Sequence, residues 1–195
     1  MRSLLFTITA VAFIGCAENL KPVTDTAEEL VPEAKVEVDD AGIVYINSSD
    51  PEQYVYVEMS TKTEVYPEDP ADSTEWDIGF RRFEILTNGG VNGTGGMEGI
   101  KVEDQAWDSF TVAPSGEYIT DQPAGEEDYY ALYVMNDWFD YDGTTHILTP
   151  YESFYAIKAV DGQYYKVRVL DYYDEYGTSG HFQLEWETID SPAGE

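Results

Sequence analysis

The sequence predicts an all-β domain built mostly from antiparallel sheets. Three observations carry that expectation. Short runs of β-branched and aromatic residues recur along the chain, each bounded by Gly, Pro, Asn, Asp or Ser, as strands and turns are punctuated. An Asp161-Gly162 pair sits between two long apolar-rich runs, a strong short-range hairpin signal. No stretch of twelve residues repeats its apolar positions at the 3.6-residue period of a helix. The 195 residues suit one domain with its own core. A formal net charge of −29 could signal disorder, but 16 Tyr, 8 Phe and 4 Trp argue for a packed interior.

The first fifteen residues stand outside the fold. Arg2 gives a positive start, and Leu4 to Ile14 is an apolar run broken only by Thr7 and Thr9. It is too short to span ~30 Å of hydrocarbon, which takes about 20 residues, and it has the form of an export signal. Its end, Phe13-Ile14-Gly15-Cys16, resembles a bacterial lipobox, in which a small residue precedes the cysteine that is acylated. Cys16 is the only cysteine, so no intramolecular disulfide can form and lipid attachment is its expected role. Residues 16–40 are expected to be a flexible acidic tether: Pro22 and Pro32 punctuate it, and its scattered Leu and Val build no face. Residues 41–190 are then the β domain.

Within that domain Ile43–Ile46, Tyr54–Val57, Trp76–Phe80 and Tyr129–Val134 are the first expected strands. Trp76, Ile78 and Phe80 share one face, and their strand runs towards the glycine-rich segment Asn88-Gly89-Gly90-Val91-Asn92-Gly93-Thr94-Gly95-Gly96. That segment is no phosphate cradle, because no Gly-Lys-Ser/Thr follows and no helix pattern aims a dipole at it. Phe154–Val160 and Gln163–Leu170 flank Asp161-Gly162. A two-residue turn there sets Val160 opposite Gln163, Lys158 opposite Tyr165, Ala156 opposite Val167 and Phe154 opposite Val169. Both faces of this hairpin are partly apolar, so a central place in a sheet is expected. Phe182–Trp186 alternates cleanly and closes the domain.

Charge and motif exclude several functions. Ten Lys and Arg scattered among 39 Asp and Glu cannot make the basic face that nucleic acid requires. The chain lacks Gly-x-Ser-x-Gly and His-Glu-x-x-His, so an enzyme is not expected. Calcium is a secondary candidate ligand: Asp137, Asp140 and Asp142 precede Gly143, and Asp171, Asp174 and Glu175 form a second acidic loop. The first does not fit an EF-hand frame with Gly143 at position 6, since Trp138 and Thr149 would then take ligand positions. A surface module for calcium, a glycan or a protein partner is the alternative reading.

The pattern Trp76-Asp77-Ile78-Gly79-Phe80, with Arg82 after it, then Ile85, Thr87-Asn88-Gly89-Gly90 and the second pair Gly95-Gly96, resembles the HmuY-like family of bacterial lipoproteins. The hairpin Tyr151 to Tyr173 and Ser179-Gly180 before the last aromatic strand extend the likeness over residues 42–190. The resemblance implies a sandwich-like all-β domain on an outer-membrane lipoprotein, exposed at the cell surface. Characterised members are haemophores, which take haem from host haemoproteins and pass it to an outer-membrane receptor. Haem or a related porphyrin is therefore the expected cofactor. Axial donors to haem iron are usually His, Met, Cys or Tyr. After the signal the chain holds His146, His181, Met59, Met97 and Met135. His146 lies just past an acidic turn, Met135 ends an expected strand, and Met97 follows Gly95-Gly96. These three are the candidate cofactor residues, with His146 and Met135 preferred as iron ligands. Tyr130, Tyr133, Trp138, Phe139, Tyr141 and Tyr151 are candidates for flat apolar walls. Arg81, Arg82, Lys101, Lys158, Lys166 and Arg168 are the cations available to two propionates.

Overall fold

The computed structural model describes residues 34–125 and 132–194. The expected signal 1–15, Cys16 and residues 17–33 of the expected tether lie outside the described residues, as do residues 129–131 of one expected strand. The strands in chain order are β1 (Val36–Val38), β2 (Val44–Asn47), β3 (Val55–Glu58), β4 (Thr63–Val65), β5 (Ile78–Arg81) and β6 (Glu84–Thr87). After them come β7 (Glu98–Val102), β8 (Phe139–Asp142), β9 (Ile147–Pro150), β10 (Phe154–Lys158), β11 (Tyr164–Tyr173) and β12 (Ser179–Ile189). A six-stranded sheet has the order β1-β2-β12-β11-β10-β7, a four-stranded sheet the order β4-β3-β5-β6, and β8-β9 stand as a separate hairpin. Every ladder is antiparallel. Among the described residues no helix is long and apolar enough to cross a membrane.

Alternation builds the main core. Val44 and Ile46 of β2, Phe182, Leu184 and Trp186 of β12, and Tyr155 and Ile157 of β10 meet Val55 and Val57 of β3 and Ile78 and Phe80 of β5. The two large sheets thus face each other as a sandwich. The opposite face of β10 and β11 is covered as well. Phe154, Ala156 and Tyr164 pack with Trp107, Ala113 and Ile189 in a second cluster. Burial on both faces is why this hairpin reads as a nearly continuous apolar run, and it places β10 and β11 inside the sheet.

The hairpin's register differs from the two-residue expectation by one residue. Ile157 pairs with Tyr165 and Tyr155 with Val167, while the Ala159 N–H donates to the Gln163 carbonyl at 2.9 Å. The loop is therefore three residues, Val160-Asp161-Gly162. Gly162 takes the left-handed position at φ 82°, the conformation a type I turn closed by a bulge requires. Both loop lengths satisfy the Asp-Gly signal, and packing selects between them. The longer loop puts Tyr155, Ile157, Tyr165 and Val167 together on the inner face.

Two further expectations change. Val36–Val38, counted with the tether, pairs with β2 as an edge strand. The expected strand 129–134 is not a strand where it is described. Leu132 makes only an isolated bridge to Gln122, and the Val134 N–H donates to the Asp121 carboxylate at 2.7 Å rather than to a ladder.

The glycine-rich segment wraps a buried polar frame. The Asn88 amide donates to the Ser73 and Trp76 carbonyls, each at 2.8 Å, and its oxygen accepts from the Gly95 N–H at 2.9 Å. The Asp77 carboxylate accepts from Met59 N–H at 2.7 Å and Val160 N–H at 3.0 Å, tying the end of β3 to the β10–β11 loop. Asp121 is fully buried and accepts from Thr87 and Val134 N–H at 2.7 Å and the Asn92 amide at 2.8 Å. The segment is thus a structural clasp, its buried polar groups matched by donors as burial requires.

Candidate functional site

The β8–β9 hairpin leans towards β11, and the space beside it is a groove of about 490 Å³. That size lies within the range of small-molecule sites. The hairpin supplies Phe139, Tyr141, His146 and Leu148, and the end of β11 supplies Tyr172 and Tyr173. The turn between β5 and β6 adds Arg82 and Phe83, with Asn136 and Ser179 completing the lining.

Each wall has a local cause. Trp138 is buried, and its indole N–H donates to the Phe83 carbonyl at 2.9 Å, which fixes the Arg82-Phe83 turn against the hairpin's base. Phe83 and Phe139 pack edge to face at 6.0 Å. Tyr172 sits 5.5 Å from Trp138 and 5.1 Å from Phe182, so this wall is an extension of the core. Burial pushes the Tyr172 phenol up, an effect the Arg82 charge partly offsets. The Tyr173 hydroxyl accepts from the Leu148 N–H at 2.9 Å, pinning β9 to β11.

His146 stands at the exposed rim with φ 60°, a left-handed conformation that is uncommon for any residue but glycine. The turn that holds it is made by Asp142, whose side chain accepts from the Thr144 N–H at 2.8 Å and the Thr145 hydroxyl at 2.7 Å. Its main-chain oxygen accepts from the His146 N–H at 2.8 Å. The His146 Nδ1 meets the Tyr141 hydroxyl closely. In the tautomer with the proton on Nδ1, the imidazole donates to that oxygen and the Nε2 lone pair is left for an electrophile or metal.

Arg82 also belongs to the lining. Its N–H donates to the Ser48 carbonyl at 2.8 Å, and the Ser48 hydroxyl donates back to the Arg82 carbonyl at 3.0 Å. This exchange holds it in a left-handed conformation at φ 51°.

The three candidate donors are not brought together. His146 lines the groove, while Met97 and Met135 are both fully buried in the main core. Their position beside loops misleads, because a flexible thioether fills the irregular space under such loops. His181 lines a different cavity, to which Tyr173 is common, and its Nδ1 lies 3.2 Å from the Thr178 carbonyl. Of the expected aromatic walls, Phe139 and Tyr141 line the groove and Trp138 lies in the core. Tyr151 lines another cavity, under the Lys101 ammonium at 4.8 Å, and Tyr130 lies outside the described residues. Sequence reasoning missed Phe83, Leu148, Tyr172 and Tyr173 as wall residues. Only the run of aromatics ending β11 hinted at the last two.

The acidic loops are explained by their own backbones. Asp142 and Asp174 have carboxyls held below the ordinary range, chiefly by loop N–H donors at Thr144 and Thr178. Asp137 pairs with Lys101 at 2.7 Å. Among the described residues no group of three or more His, Cys, Asp or Glu is placed to hold a metal ion.

The family model for the HmuY protein matches residues 50–186. No curated protein matches the chain in sequence. Among solved structures, the apo HmuY analog of Tannerella forsythia superposes with a TM-score of 0.59 at 17% identity, over 83% of this chain and 99% of its own. A candidate HmuY-like heme-binding protein of Bacteroides vulgatus gives 0.57 at 18% identity, over 79% and 97%. A candidate lipoprotein of Bacteroides fragilis gives 0.55 at 17% identity, over 76% and 92%. At these identities the superpositions establish a shared fold.

Proposed function

The chain belongs to the HmuY family, and from that premise we propose that it binds haem or a related porphyrin in the groove beside His146, as a carrier rather than an enzyme. The observation that carries the reading is the lining itself: aromatic and aliphatic walls, one rim imidazole whose Nδ1 meets the Tyr141 hydroxyl, and one guanidinium. A flat apolar ring system with an iron centre and carboxylates asks for those three chemistries. A structural neighbour described as a candidate HmuY-like heme-binding protein supports the same choice of ligand.

His146 is the residue proposed to donate to iron, through Nε2. Tyr141 orients the ring by engaging Nδ1, as partners beyond the metal ligands commonly do. Phe83, Phe139, Leu148 and Tyr172 exclude water from the faces of the ligand. Met97 and Met135, buried in the main core, serve packing. When bound, haem would supply a redox-active iron. The protein's part is to hold it, shield it and release it to a receptor.

Attachment through an acylated Cys16 belongs to the same proposal, supported by the lipobox-like sequence and by a structural relative described as a candidate lipoprotein. It would place the carrier in the cell envelope, on the outer membrane and facing out. Host haemoproteins as a source and an outer-membrane receptor as a destination are the partners that membership of the HmuY family suggests.

The test is a titration of the protein with hemin. A shifted Soret band that saturates is expected. His146→Ala should weaken binding about tenfold or more, equivalent to ~1.4 kcal/mol of lost ligation. A spectrum unchanged at excess hemin would refute the proposal. Equal affinity of wild type and His146→Ala would remove His146 as ligand.

A further inference from the structure

We propose that Arg82 is a carboxylate anchor, so that the groove selects planar ligands by their anionic groups as well as by shape. This rests on the reading of the groove as a porphyrin site. Of the six cations available to a ligand carboxylate, Arg82 is the one that lines the groove. Four others already have carboxylate partners: Arg81 with Glu84 at 2.7 Å, Lys101 with Asp137 at 2.7 Å, Lys166 with Glu187 at 3.0 Å, and Arg168 with Glu185. Lys158 lies over the Tyr164 ring at 5.5 Å and is not part of the groove lining.

Arg82 differs from the paired cations in what it touches. Its guanidinium donates to two neutral oxygens, the Ser49 carbonyl at 3.0 Å and the Ser179 hydroxyl at 2.9 Å. A guanidinium carries five N–H donors in a rigid fork, so those two bonds orient it and leave others open. In a protein of net charge −29, a half-buried arginine whose hydrogen-bond partners are neutral is a local exception. The reciprocal hydrogen bonds between Ser48 and the Arg82 backbone hold it in a left-handed conformation, so the fork is positioned before any ligand arrives.

An anion is also the ligand part this protein otherwise repels. The surrounding acid field disfavours a free dicarboxylate, and a preorganised guanidinium inside the groove is the local remedy. The anchor would set orientation too, directing the carboxylate edge of the ligand towards Arg82 and Ser179.

The experiment compares hemin with its dimethyl ester, which keeps ring and iron and removes both negative charges. Wild type should bind hemin about tenfold or more tightly than the ester at low salt, the range expected for a charge-assisted contact. That preference should narrow as salt is raised. Arg82→Gln should bring the ratio of hemin to ester affinity towards one, whatever it does to the affinity for the ester itself, and Arg82→Lys should restore part of that ratio. The ester comparison needs no variant, so misfolding of Arg82→Gln would not rescue a wrong inference. Equal binding of hemin and ester by wild type overturns the anchor alone and leaves the porphyrin reading standing. Binding of neither overturns both.

Discussion

Replacing Asp121 by alanine removes the acceptor on which three segments converge. Its carboxylate, with no exposed surface, accepts from the N–H of Thr87 at the end of β6, the N–H of Val134 before the groove wall, and the amide of Asn92 in the glycine-rich segment. The two backbone donors are buried, and each left unpaired costs about 1–3 kcal/mol, or ~2–6 kcal/mol together. Part of this is returned, because burial pushes the carboxyl above its usual range and the ionised form is itself unfavourable there. A net loss of about 3 kcal/mol near neutral pH is expected, a large share of a domain stability of ~5–15 kcal/mol. Asp121→Asn keeps one acceptor oxygen and should fall between alanine and wild type. Equilibrium unfolding in urea, with the slope checked for constancy, measures both. A loss below about 0.5 kcal/mol for Asp121→Ala would refute the reasoning, since that is the scale of an ordinary surface change.

The other expectations concern pH and the clasp. Asp77 and Asp121 both have folded-state carboxyls raised by burial, against the opposing pull of their N–H donors. A raised folded value means stability that is present below the ordinary carboxylate range and is lost as pH rises through the folded value. Relief of self-repulsion acts in the same direction, so the thermal midpoint should rise as pH falls from neutrality towards the ordinary carboxylate range. The rise should persist in part at high salt, which screens the surface charges; a falling midpoint over that window would contradict it. Gly90→Ala places a Cβ 1.9 Å from the Asp121 carbonyl at φ 61°, whereas Gly162→Ala, at φ 82°, meets nothing within 4 Å. Gly162→Ala should therefore cost only the left-handed penalty, about 1–2 kcal/mol, and Gly90→Ala clearly more. Urea midpoints for the pair test this, and equal losses would show that the clasp has room to move.

The strands that rest on strong local patterns were legible. Val44–Asn47, Val55–Glu58, Ile78–Arg81 and the three last strands follow from β-branched and aromatic alternation, which burial on one or both faces demands. Short or polar strands were not. Thr63–Val65, Phe139–Asp142 and Ile147–Pro150 have no buried residue, so they carry little apolar signal. Val36–Val38 became a strand because β2 offered it an edge.

By itself the sequence determined the all-β class, the family motif around Trp76 to Gly96, the hairpin at Asp161-Gly162, and a strongly acidic net charge. These depend on side-chain period, turn chemistry and charge, all of which are local or additive. Only the tertiary structure decided the hairpin register, the burial of Met97 and Met135, and the meeting of Arg82, His146 and Tyr172 around one groove. Those residues come from separate strands and turns, and whether a side chain faces a core or a cleft is set by what packs against it from elsewhere in the chain. A one-residue shift in pairing or a loop tied down by Asp121 changes that outcome while leaving the local pattern untouched.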